Sequence, residues 1–231
     1  MQPRTLDHVA LWTDERDAIA DFAVAHLGMH LIERTDRFTL VGRDARRGKL
    51  TLFAADGPRA PGALVHVGLR VSRLGAALRG MPGRDGGRAG SARVDAPGGL
   101  RVVVVEAPTD SEWDLDHVAL RSADPQAATA EYGRLGFAPA PPTADGNPRV
   151  GVGGAFVELW PGGEGAEPER PLLNHVAVLV DSAEEHRTEA EELGVEVDEW
   201  VDGPNTLAVF LRGPDGVRIE YVEHKPTFSL V

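Results

Sequence analysis

The chain has no cysteine. This excludes disulfides, thiolate metal sites, iron–sulfur clusters and cysteine nucleophiles together, and leaves His, Asp and Glu as the side chains able to hold a metal. No run reaches the roughly 18 apolar residues a membrane span needs. The opening "MQPRTLDH" also lacks the apolar core of a secretory signal. A soluble cytoplasmic protein without a membrane partner is expected. Positive charge is scarce in the second half: residues 1–110 carry 16 Lys and Arg against 13 Asp and Glu, whereas residues 111–231 carry 8 against 23. An acidic half of this kind repels a phosphate backbone, so nucleic acid is not an expected partner. A small molecule is.

What the 231 residues do have is repetition. The segments "LDHVALWT", "LVHVGLRV", "LDHVALRS" and "LNHVAVLV" each set a histidine in a strand-like run, at His8, His66, His117 and His175. The same offset carries His8 to His117 and His66 to His175, so the two halves repeat each other and each half holds two related modules. After three of the runs come "DERDAIADFAVAHLG", "ADPQAATAEYGRLG" and "DSAEEHRTEAEELG", which read as capped Ala-rich helices stopped at Leu-Gly. Ser182 with Glu185 makes a capping-box pattern, and Pro125 suits a first helical position. "SRLGAALRG" is a weaker version. Short β-rich runs follow, closing on "KLTLFAA", "LRVVVVEA", "AFVELW" and "VRIEYVE". The module is therefore strand, helix and about three strands, over 1–57, 63–108, 114–161 and 172–224. Breaks near "TDSEW" and at "PGGEGAEPERP" suit a domain junction and an intermodule linker. The patch "GRDGGRAGSAR" reads as a mobile surface connection.

Four βαβββ modules with His on the opening strand and a carboxylate on the closing one resemble the vicinal oxygen chelate superfamily, which includes glyoxalase I, methylmalonyl-CoA epimerase, bleomycin resistance proteins and type I extradiol dioxygenases. The resemblance implies an α+β fold in which paired modules curl their sheets into cups, with helices outside. It also implies one divalent metal per chain, Fe2+ or Mn2+ in the first place and Zn2+, Ni2+ or Co2+ otherwise. The two-domain form looks most like the extradiol enzymes, so the expected domains are 1–110, metal-free, and 111–231, metal-binding.

Carried over residue by residue, His117, His175 and Glu220 match the metal ligands. Glu158 in "FVELW" is the candidate fourth ligand or general base. Aligned on the same pattern, the first half puts Thr51 opposite Glu158 and Val103 opposite Glu220. With both carboxylates missing there, His8 and His66 are expected to be remnants of duplication. Glu106 aligns with Glu223 instead, on the other strand face. Asn205, Phe210 and Trp160 are candidate pocket residues, although Trp160 and Trp200 equally suit core packing. His26, His30 and His186 are expected to be solvated. The tail "EHKPTFSLV", with His224 and Phe228, either closes over a cup, packs on a second chain in a homodimer, or simply ends the protein.

The extradiol pattern is incomplete. No His stands in "VELWPGG", where the resemblance expects an acid/base group, and Phe210 stands where it expects a Tyr. Three readings follow. The first is a metal enzyme that chelates a small oxygenated substrate, extradiol-like. The second is a glyoxalase- or epimerase-like enzyme using all four of His117, Glu158, His175 and Glu220. The third is a non-catalytic binding protein of the drug-resistance kind.

Overall fold

The alternating opening runs and the β-branched closing runs fold as strands in a computed structural model that describes residues 1–85, 90–163 and 168–231. Module one is β1 (Thr5–Thr13), α1 (Arg16–His26), β2 (His30–Arg34), β3 (Phe38–Asp44) and β4 (Arg47–Ala54). Module two is β5 (Leu64–Val71), α2 (Leu74–Ala77), β6 (Arg84–Asp85), β7 (Ser91–Asp95) and β8 (Arg101–Glu106). Module three is β9 (Trp113–Ser122), α3 (Pro125–Arg134), β10 (Ala138–Ala140), β11 (Arg149–Val152) and β12 (Ala155–Pro161). Module four is β13 (Leu173–Leu179), α4 (Ala183–Glu192), β14 (Val197–Asp202), β15 (Thr206–Arg212) and β16 (Arg218–His224). The α+β class and the fourfold βαβββ repeat are as the sequence implies.

Local chemistry explains the helix starts. Asp124 accepts hydrogen bonds from the amides of Gln126 and Ala127, with Pro125 at the first turn, and Ser182 accepts from the amide of Glu185. Glu106 and Glu223, aligned in the sequence, do the same work from the ends of their strands. Each carboxylate accepts the first free amide of its own module's helix, from Leu74 and Ala183 respectively. The faces turned to the sheets are lined by small residues, Ala20 and Ala23 on α1 and Ala183 and Ala190 on α4, which allow close approach. Leu11, Leu52, Leu159 and Leu211 are fully buried, each worth about 1.5–3 kcal/mol relative to exposure.

The pairing of the modules departs from the expected division at 110. One eight-stranded sheet runs β14-β15-β16-β13-β1-β4-β3-β2 and the other β10-β11-β12-β9-β5-β8-β7-β6. Module one therefore joins module four in an outer cup, and module two joins module three in an inner cup. The seams are antiparallel, β1 against β13 and β5 against β9. Neither 1–110 nor 111–231 contains a complete sheet. The two intermodule linkers run side by side, bridged at Ala60 and Pro171. All four opening strands carry nearly the same sequence, so pattern alone does not say which joins which.

Two smaller expectations also change. The ends of "GRDGGRAGSAR" form β6 and β7, while its residues 86–89 lie outside the described ones. His186 is buried rather than solvated: its ring lies against Tyr221, Nε2 accepts from the amide of Gln2 and Nδ1 donates to the Ser182 carbonyl. His26 and His30 are partly or fully exposed.

Candidate metal centres

The motif His-Val-Ala/Gly-Leu/Val has a geometric meaning at each seam. In register, His8 faces Ala177 and Ala10 faces His175, while His66 faces Ala119 and Gly68 faces His117. Each small third residue makes room for the imidazole across the seam. The limit is closest at Gly68, where a Cβ would sit 2.2 Å from the His117 ring. The residue before each histidine, namely Asp7, Val65, Asp116 or Asn174, is skipped by the ladder as a β-bulge. Three of the four then serve as acceptors for their neighbour: Asp7 and Asp116 each lie 2.7 Å from the Nδ1 of His8 and His117, and Asn174 Oδ1 lies 2.9 Å from that of His175.

Those acceptors place the ring proton on Nδ1 and turn the Nε2 lone pairs into the cup. There they meet head on. His8 Nε2 and His175 Nε2 are 3.0 Å apart, and His66 Nε2 and His117 Nε2 are 2.9 Å apart. Two ring nitrogens at this distance need a cation or a proton between them, and only His66, preceded by Val65, lacks an acceptor that fixes its tautomer. A carboxylate completes each group. Glu220 Oε2 lies 3.1 Å from His8 Nε2 and 2.9 Å from His175 Nε2. Glu158 joins His66 and His117, with ligand atoms all within 4.8 Å of one another. All six residues expose 9% or less of their surface. The donor sets fit a divalent metal in both cups.

Electrostatics in the outer cup support this. Burial disfavours an imidazolium at His8, yet Glu220 and Asp7 outweigh it and push its pKa up to about 9. Burial likewise works against the Glu220 carboxylate, and the two histidines hold it well below the usual range. His175 is shifted down, mainly by burial. A proton on His8 fills the place a metal would take. Behind it, Asp7 is fully buried and held ionised against desolvation by Lys49, with His224 and His8 also on it. Lys49 Nζ is 2.7 Å and His224 Nε2 is 3.0 Å from this carboxylate.

The expected triad is therefore not assembled as read. His175 and Glu220 do meet, but their third partner is His8; His117 lies in the other cup with His66 and Glu158. The same separation removes the four-ligand set of His117, Glu158, His175 and Glu220. The expected metal-free N-terminal domain is replaced by two cups, each with two histidines and one carboxylate. What sequence reasoning missed was signalled by "LDH", which supplies His8 with the same orienting Asp as His117. Of the pocket candidates, Phe210 stands 5.1 Å from His175 in the outer cup, and Trp160 stands 6.1 Å from His66 in the inner cup and donates to Glu158 Oε1. Asn205 is instead a strap for the tail, bonded to Ser229 and Lys225. Trp200 packs on the core.

Register defines a further position in each module. The closing-strand residue opposite the small third residue is Glu158 (with Ala119) and Glu220 (with Ala177), but Thr51 (with Ala10) and Val103 (with Gly68). Each cup thus has exactly one of its two closing-strand positions filled by a carboxylate.

Comparison with known proteins bears on this arrangement. Residues 5–113 match the profile of the Glyoxalase/Bleomycin resistance protein/Dioxygenase superfamily. No curated protein matches the chain by sequence. Among solved structures, a putative dioxygenase from Bacillus subtilis is similar in fold, with a TM-score of 0.79 at 15% identity, covering 98% of this chain and 87% of that one. Glyoxalase I from Zea mays superposes with a TM-score of 0.75 at 16% identity, covering 95% and 92%. The cppA protein of Streptococcus pneumoniae does so with 0.59 at 14%, covering 96% and 100%.

Proposed function

Residues 5–113 match the Glyoxalase/Bleomycin resistance protein/Dioxygenase superfamily profile, the whole chain shares its fold with the solved structures above, and we propose that the chain is a divalent-metal enzyme of that superfamily with two centres. The outer centre is held by His8, His175 and Glu220 and the inner by His66, His117 and Glu158. Each binds a small oxygenated substrate through two adjacent oxygens. The observation that carries this reading is the two-histidine, one-carboxylate set in each cup, with Thr51 or Val103 at the register position where a fourth carboxylate would stand. A three-ligand facial set leaves open positions, the arrangement used by non-haem Fe(II) oxygenases. It favours the extradiol-like reading over the four-ligand lyase or isomerase.

Bound there, Fe(II) or Mn(II) supplies Lewis acidity and oxygen chemistry at the open positions. The chain's own side chains do the rest. Asp7, Asn174 and Asp116 hold three imidazoles in the ligating tautomer. Trp160 fixes one oxygen of Glu158, and Phe210 and Phe53 wall the outer cup beside His175, excluding water. His224 Nε2 approaches Asp7 from the end of β16, on the side of the carboxylate away from His8.

Elemental analysis tests the centres. Wild type reloaded after chelation should hold two metals per chain, and Glu220→Ala and Glu158→Ala one each; full content in either variant would remove that centre. Oxygen uptake by the Fe(II)-loaded protein with a catechol supports the oxygenase reading. Oxygen-independent isomerisation of a 2-oxo-aldehyde adduct with Zn(II) or Ni(II) points to the other enzyme class.

A further inference from the structure

Three of the four candidate ligand histidines are backed by an acceptor and, behind it, a cation. For His8, Asp7 lies 2.7 Å from Nδ1 and is itself held by Lys49 Nζ at 2.7 Å. For His117, Asp116 lies 2.7 Å from Nδ1, with the Arg70 guanidinium 3.7 Å from its other oxygen. For His175, Asn174 Oδ1 lies 2.9 Å from Nδ1 and accepts from Arg218 at 3.5 Å. His66 has neither. The residue before it is Val65, skipped by the ladder like the other three but without a polar atom to offer. Among the described residues the hydrogen-bond partner of His66 is His117, and no acceptor is bonded to its Nδ1.

The difference decides which nitrogen carries the ring proton. In the outer cup both Nδ1 atoms are bonded to acceptors, so neutral His8 and His175 each turn a lone pair into the 3.0 Å gap between them. Only a cation placed there relieves the pair. In the inner cup only His117 is fixed in this way. A neutral imidazole without an acceptor takes the tautomer its surroundings favour, and 2.9 Å from the His117 lone pair that is the one protonated on Nε2. His66 then donates to His117, and the inner pair closes as a neutral hydrogen bond. A metal entering the inner cup has to break that bond and turn the His66 proton to Nδ1, where Val65 offers no acceptor.

From this we infer that the two centres are unequal: the outer holds its divalent cation tightly, the inner holds it at least about tenfold more weakly, and Val65 sets the difference. The factor is the low end of the usual loss when a ligand histidine lacks its orienting partner. The inference rests on the reading of both cups as metal centres. Module two is reduced elsewhere as well, with the shortest helix, Leu74–Ala77, and with Val103 at its closing-strand position. It brings to the inner cup one imidazole and nothing that orients it, whereas module one, which also lacks a closing carboxylate, brings Asp7 and Lys49 behind His8. The consequence is graded loading. The outer centre stays filled when metal is scarce, and the inner one fills only as free metal rises, so ligand binding in the inner cup follows the metal supply.

The test titrates the full chain, stripped with chelator, with Mn(II) while electron paramagnetic resonance reads the free ion. Wild type should bind in two steps whose dissociation constants differ by at least about tenfold. Glu158→Ala should lose the weak step and Glu220→Ala the tight one. Val65→Asp, which gives His66 the acceptor that His8 and His117 have, should tighten the weak step about tenfold and leave the tight one alone, while Val65→Leu changes neither. Asn174→Leu should weaken the tight step by a similar factor. Ring nitrogen NMR of the metal-free chain gives a readout that mere packing would not move: His66 should be protonated on Nε2 in wild type and on Nδ1 in Val65→Asp. Equal steps, a weak step that survives Glu158→Ala or ignores a folded Val65→Asp, or a wild-type His66 protonated on Nδ1 overturns the inference and leaves two centres standing. No bound Mn(II) at all overturns both. Should Val65→Asp fail to fold, the wild-type spectrum and Asn174→Leu decide the matter.

Discussion

Asp7 is the most heavily used side chain in the outer cup: one buried carboxylate serves His8, Lys49 and His224. Lys49 is 5% exposed, and removing it leaves a fully buried carboxylate with the two histidines as its remaining partners and no water to solvate it. Lys49→Met should therefore cost about 3–5 kcal/mol, the usual cost of breaking a buried ion pair. Scanning calorimetry should see this as a fall in Tm of about 6–20 °C for a chain of this length; a shift under a degree would contradict the pairing. The histidines give a pH signature in the metal-free protein. His66 is kept neutral, its pKa pushed down to about 3, chiefly by burial and then by His117 and Arg101. Below 6.5 the unfolded chain takes up a proton that the folded chain refuses, so stability falls with pH by about 1.4 kcal/mol per unit until pH 3 is near. His8 acts with the opposite sign. Its folded value near 9 exceeds 6.5, so its contribution is complete below 6.5 and is lost as pH rises through 9. Thermal melts of chelator-treated protein should peak between these limbs, and His66→Gln should flatten the acid limb alone.

At the scale of the element, the opening strand is a device for delivering two imidazoles across one seam. Its bulge frees the residue before the histidine to orient the ring, and its small third residue admits the facing ring. Much of this was legible: the four strands, their histidines and the closing carboxylates Glu158 and Glu220 all follow from pattern. The absence of carboxylate at Thr51 and Val103 was legible too. Gly68 was not, because its role depends on which ring lies opposite. Gly68→Val should push His117 aside and empty the inner centre, lowering metal content from about two to about one per chain with the outer triad untouched. Unchanged content, measured by elemental analysis, would mean the seam tolerates the branch. His186 was misread for a related reason: helix position alone did not show that the N-terminal segment and Tyr221 cover it.

For the whole molecule, modules two and three form a contiguous nested unit that modules one and four enclose. A chain of residues 63–162 contains one complete sheet and one triad, so it should fold and bind one metal, whereas 1–110 and 111–231 expressed apart should each lack a seam partner and fail to fold. Far-UV circular dichroism with metal analysis on the three fragments decides this, and a folded 1–110 would contradict the pairing. By itself the sequence determined the repeat, the fold class, the helix caps and the inventory of ligand types, because these rest on local periodicity and side-chain chemistry. Which histidine meets which carboxylate was decided only by tertiary structure. Near-identical opening strands compete equally for a partner, and only the three-dimensional closure of module one on module four gives each cup its single glutamate.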